Sequence, residues 1–134
     1  MLRSTLVEPL ADAAVCVLLE ALTRINLLTR RWCAATGAPL PLLYNSGVRY
    51  QRENYALREE NWLDVLELYR LGFGDCEDLA CARASELQEM GEAATAQAVA
   101  KRRRNGTRLL HVIVKRADGS TEDPSRRLGM KAAA

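Results

Sequence analysis

From Leu10 to Trp32 the apolar positions Leu10, Ala14, Val17, Leu18, Ala21, Ile25, Leu28 and Trp32 fall three or four residues apart, the period that lines one side of an α-helix. Thr5 and Glu8 have capping-box spacing and Pro9 suits a first helical turn, so the pattern predicts one long helix within residues 1–37, stopped at Gly37 and packed through that stripe. Cys16 and Cys33 lie inside it and read as small packing residues. "APLPLLYNSGVRYQRE" follows, with two prolines and an Asn-Ser-Gly turn, an extended connector with one short strand near Val48. Helical period returns over Glu59 to Leu71, with Trp62, Val65, Leu66 and Tyr69 on one side and Gly72 as the stop.

A third helix is predicted from Cys76 to Met90, with Gly91 beyond it. Asp75 is its N-cap, and Asp78 completes an acidic variant of the capping box. Cys76, Leu79, Ala80, Ala84, Leu87 and Met90 share its apolar face. After this helix the period changes to strand and turn. Asn105-Gly106 predicts a two-residue hairpin turn that sets His111 across from Ala100, with Ala98 and Arg102 flanking on the same face and leaving room for a helix end. For the second hairpin a three-residue loop, Ala117-Asp118-Gly119 with Gly119 left-handed, pairs Asp123 with Ile113 and puts it diagonal to His111 on one face. The middle strand, Thr107 to Lys115, is apolar on both faces from Leu109 to Val114, which predicts that both are covered. The fold class is α+β, helices on a small antiparallel sheet, in a single domain spanning 1–134.

At 134 residues the chain can bury its own core without a disulfide or a structural metal. Net charge is +2, but residues 1–100 carry 9 basic and 14 acidic side chains and residues 101–134 carry 10 and 3. The apolar run near the amino terminus is broken by Glu8, Pro9, Asp12 and Glu20, a poor signal peptide and too interrupted to span a membrane. With four cysteines in no disulfide pattern, a cytoplasmic location is expected, with no membrane partner.

Cys76 at a helix start, His111 on a strand and Asp123 on the next strand supply a nucleophile, a base and an orienter in chain order. A helix amino terminus and an imidazolium both favour a thiolate, against the three acids Asp75, Glu77 and Asp78. "GDCEDLA", then "HVIV" 35 residues after the cysteine, then "EDPS" with its Asp 12 residues further on, resemble the transglutaminase-like branch of the papain-like cysteine enzymes. The resemblance covers roughly residues 71–129, the catalytic core, and implies a Cys76, His111, Asp123 triad in a helix packed on an antiparallel sheet. It implies acyl transfer on protein amide bonds, by peptidase or cross-linker, with no cofactor. Ile113 departs from the family, many of whose members have an aromatic residue two positions after the histidine. For the oxyanion hole the sequence offers Asn61, Trp62 and the backbone N–H of Cys76. The short chain is also similar, more loosely, to small proteins of tailed bacteriophages encoded among head and tail assembly genes. That implies a virion setting in the host cytoplasm and phage head or tail proteins as partners.

Three rivals stand beside the enzyme. Cys76, Cys81, His111 and Asp123 are all metal-ligand types, but five helical residues turn Cys76 and Cys81 about 140° apart, so no metal site is expected and Cys81 reads as packing. The turn Lys101, Arg102, Arg103, Arg104, with Arg108, Lys115, Arg116, Arg126, Arg127 and Lys131, would attract nucleic-acid phosphate if the charges share a surface. Lacking aromatic residues for stacking, it suits an acidic protein partner equally well. The third is a catalytically silent virion structural protein that keeps the fold.

Overall fold

The computed structural model describes residues 2–52 and 62–131, with the side chains of the first helix described from residue 12 onward. The elements run α1 (Leu2–Ala35), a 3-10 turn (Leu43–Asn45), β1 (Arg49–Tyr50), α2 (Val65–Leu71), β2 (Phe73–Gly74), α3 (Cys76–Glu89), β3 (Thr95–Arg102), β4 (Arg108–Lys115), β5 (Thr121–Glu122) and α4 (Pro124–Arg127). The class is α+β. β3, β4 and β5 form an antiparallel meander, and β1 and β2 make a separate two-residue parallel pair. Among the described residues no helix is long and apolar enough to cross a membrane.

α3 is central and buried almost all round. One side, with Ala80, Cys81, Ala84 and Leu87, meets Leu19 and Leu22 of α1 and Val112 and Val114 of β4. The other side, with Leu79 and Ala82, meets Leu43, Val48, Val65, Leu68 and Leu128. The predicted single face is therefore too narrow, and its last member, Met90, is exposed. Small residues at positions 80, 82 and 84 let neighbours approach on both sides, which a helix this enclosed requires.

α1 stops close to the predicted Gly37 but begins at Leu2, ahead of the predicted Thr5 cap and first-turn Pro9, and it has the opposite orientation. Val17, Leu18, Ile25, Leu28 and Trp32 are exposed, whereas Leu19, Leu22, Thr23, Asn26, Leu27, Arg30 and Cys33 are buried. Cys16, expected as packing, is exposed too. The cause is polar pairing. Asn26 Oδ1 accepts the Val65 N–H at 2.8 Å, and Arg30 reaches Glu86 of α3 at 3.1 Å and the Tyr69 hydroxyl at 2.6 Å. Glu86 also accepts the Leu43 N–H at 2.8 Å and meets Arg83, which goes on to Glu122. This ion-pair chain joins α1, α3, β5 and the 3-10 turn through the core.

α2 starts later than its apolar pattern predicts. Asp64 caps it by accepting the Glu67 N–H at 3.0 Å, Trp62 precedes the helix and packs against the Leu19 cluster, Leu66 is exposed, and Gly72 ends it at φ 83°. The part of that prediction covering residues 59–61 lies outside the described residues.

The first hairpin also departs from expectation. Arg102 pairs with Arg108 and His111 with Val99, one position off the two-residue register. The loop has three residues, 104–106, closed by Gly106 N–H to Arg103 O at 2.9 Å and Arg103 N–H to Thr107 O at 2.8 Å, with Gly106 at φ 82°. Asn105 serves the loop differently, its Oδ1 accepting the Thr107 N–H at 2.9 Å. The second hairpin is as predicted. Val114 pairs with Glu122 and Lys115 with Thr121 around Ala117–Gly119, with Gly119 at φ 88°.

Candidate functional site

Cys76 is the first residue of α3, and its surroundings follow from the motif around it. Asp75 Oδ1 accepts the Cys76 N–H at 2.7 Å, while Asp78 Oδ2 accepts the Asp75 N–H at 3.0 Å, closing the predicted capping box. Asp78 Oδ1 also accepts the Leu63 N–H at 2.7 Å, tying the approach to α2 onto the start of α3. Gly74 has no room for a side chain: a Cβ there would lie 2.5 Å from Leu68 Cδ1 and 3.1 Å from Asp78 Cβ. Ala80 is fully buried between α1 and β4. Gly74, Asp75, Asp78 and Ala80 of "GDCEDLA" thus each have a packing or capping task.

The thiol meets the backbone N–H of Val112, the residue after His111, and donates to Glu77 Oε2 at 3.4 Å. Burial, then the charges of Glu77 and Asp75, push the thiol pKa well up, while the Val112 N–H pulls it down by less. Glu77 is pushed up to about 8 by burial and then by Asp75 and Asp78. The thiol is therefore protonated at rest near neutral pH.

His111 and Asp123 meet as the three-residue second loop requires. His111 Nε2 lies 2.9 Å from Asp123 Oδ2, with both side chains about a quarter exposed. Asp123 has a second task as N-cap of α4, its Oδ1 accepting the Arg126 N–H at 3.3 Å, with Pro124 at the first helical position. Alternation along β4 turns His111 away from Val112 and Val114, the pair that packs on α3. The expected face-on approach of the helix end to His111 is not found: α3 lies over Ala96, Ala98, Val112 and Val114, and His111, with Val99 rather than Ala100 opposite it, belongs to the other face. The thiol's hydrogen bond goes to Glu77 rather than to the imidazole.

Of the expected oxyanion donors, Asn61 lies outside the described residues, Trp62 is half-buried against the Leu19 cluster, and the Cys76 N–H is taken by Asp75. Cys81 faces away from the site, its thiol against Leu19 O at 3.5 Å, as its place around the helix predicts. Ligand atoms of Asp75, Cys76 and Glu77 lie within 4.8 Å of one another, but the capping bonds of Asp75 and the thiol's bond to Glu77 already use them. A cleft of about 470 Å³ lined by Cys16, Glu20, Arg24, Gln88, Gln97 and Lys115 includes none of the three expected site residues.

The basic carboxy-terminal region is partly neutralised. Arg108 pairs with Asp12, Arg116 with Glu92 and Arg126 with Asp123, and Arg127 lies 4.0 Å over the Tyr44 ring. Lys101, Arg102, Arg103 and Arg104 are exposed around the hairpin turn. Comparison with protein-family models, with curated proteins and with solved structures gives no match to this chain.

Proposed function

We propose that this chain is a cysteine-nucleophile acyl-transfer enzyme of the transglutaminase-like, papain-like type, acting on protein amide bonds. The observation that carries the reading is the 2.9 Å pairing of His111 Nε2 with Asp123 Oδ2, one residue along β4 from the backbone that receives the Cys76 thiol. Asp123 fixes the ring through Nε2 and leaves Nδ1 to take the thiol proton. The thiolate then attacks the amide carbon, a C–S bond forms, the C–N bond breaks, and the imidazolium returns the proton to the leaving amine. Water or a lysine amine releases the thioester. Because the thiol is protonated at rest, catalysis requires substrate to displace water and bring thiol and imidazole together. By the resemblance of its motifs, the setting is bacteriophage virion assembly, with head or tail proteins as substrates. The exposed Lys101–Arg104 turn suits an acidic partner surface or, more weakly, nucleic acid.

A catalytically silent virion protein is the second reading, favoured by the Asp75 carboxylate on the Cys76 N–H and by the acids around the thiol. Intact-mass spectrometry after incubation with an activated peptide ester separates the two. The enzyme reading expects one acyl adduct, mapped to Cys76 and slowed at least tenfold by His111→Ala. Acylation confined to the exposed Cys16, or a Cys76 adduct indifferent to His111, would sink it.

A further inference from the structure

We infer that the outward face of α1 pairs with the same face of a second copy of this chain, in an antiparallel, two-fold arrangement centred near Thr23. Ala14, Leu18, Ala21, Ile25, Leu28 and Trp32 are spaced four, three, four, three and four residues apart, the strict 3.5-residue repeat that fits a helix against another helix, and all are exposed. An ordinary solvent face does not keep this repeat. Leu18, Ile25 and Leu28 are each more than half exposed and Trp32 is 66 % exposed, so the stripe offers on the order of 500 Å² of apolar surface per copy. Two such faces together bury about 1,000 Å², the size at which specific association begins.

The sizes along the stripe select the occupant and its direction. Two antiparallel copies pair the positions 14 with 32, 21 with 25 and 18 with 28. Trp32 then packs on Ala14 of the second copy, Ile25 on Ala21 and Leu18 on Leu28, and the two-fold repeats each contact in reverse. Every small residue meets a large one. A parallel pair would instead stack Trp32 on Trp32 and leave Ala14 on Ala14, a clash beside a void. At the centre the Arg24 side chains of the two copies approach, and Glu20 of the second copy, one turn away on the same flank, supplies the opposing charge. Neither the burial of the core nor the Cys76 region depends on this face.

Sedimentation equilibrium of the full chain from 5 to 200 µM tests the inference. The expected result is a mass approaching twice 14.9 kDa, falling to the monomer in Ile25→Glu with its circular dichroism unchanged. Orientation is read in a Cys16→Ser background by mixing Ala14→Cys and Trp32→Cys proteins under oxidation. The mixture should cross-link and neither protein should do so alone. A monomer throughout the range, a dimer indifferent to Ile25→Glu, or self-linking of Ala14→Cys would each overturn the proposal. Capture of a different protein on this face by a monomeric chain would overturn it as well.

Discussion

Replacing Glu77 by Gln tests the electrostatics of the candidate site without removing any proposed catalytic group. Glu77 is buried beside Asp75 and Asp78 and titrates at about 8 in the fold, against 4.5 for an unburied glutamate. Its folded pKa lies above its unfolded one, so the stability it permits is complete below about pH 4.5 and drains as the pH rises through about 8. The drain is about 3 kcal/mol by pH 7 and approaches a limit near ~5 kcal/mol above pH 9. Gln has the shape of the protonated acid and no charge to bury. Urea unfolding of both proteins at pH 5 and pH 8 should therefore show the variant gaining about 3 kcal/mol relative to wild type across that interval. The thiol gives a second readout, since Glu77 opposes the thiolate only once it is itself ionised. Alkylation of Cys76 should be faster in the variant at pH 9 and unchanged at pH 6. Parallel stability profiles for the two proteins would refute the reasoning, because a Glu77 that ionises freely would have to be hydrated.

Gly74→Ala should cost about 1–3 kcal/mol in chemical unfolding, because its Cβ would overlap Leu68 Cδ1 and press on the Asp78 carboxylate that caps α3. Arg30→Ala should cost about 1.5–3 kcal/mol by the same measurement, since Glu86 keeps Arg83 and the Leu43 N–H but loses its second counter-ion, and the Tyr69 hydroxyl loses its donor; a loss under about 0.5 kcal/mol would show the pair to be hydrated. Asp123→Asn should change stability by less than about 0.5 kcal/mol, because Asn caps a helix as well as Asp does, yet slow acylation of Cys76 at least tenfold. Equal acylation rates in the two proteins would make Asp123 a cap alone.

Local chemistry in this chain was legible where it is short-range. Asp75 and Asp78 lie three residues apart and can do little but close a capping box, and Gly119 sits where a three-residue loop needs positive φ, which in turn brings Asp123 to His111. What misled was a choice between two partners that the sequence presents as equal. α1 has a purely apolar stripe and a mixed one, and burial took the mixed one because Asn26 and Arg30 find the Val65 N–H and Glu86, residues distant in the chain. Asn105-Gly106 is compatible with two loops, and the longer one adds the Asn105 to Thr107 hydrogen bond while shifting β3 by one residue. That single residue puts Val99 in place of Ala100 opposite His111 and turns Ala98 to the face that α3 covers, away from the imidazole.

The motif that suggested chemistry also divides cleanly once structure assigns its parts. Gly74, Asp75, Asp78 and Ala80 are accounted for by close packing and capping, and Asp123 and Pro124 by the start of α4. A purely structural origin for the motif would explain all of these and would still leave two residues without a reason. Cys76 is half-buried beside Glu77 and Asp75, where Ala or Ser would also fit the helix start, and His111 holds an imidazole on the face of β4 opposite Val112 and Val114. In the proposed reading substrate binding brings the thiol to the imidazole that Asp123 holds, and the acids around the thiol are what that binding has to overcome.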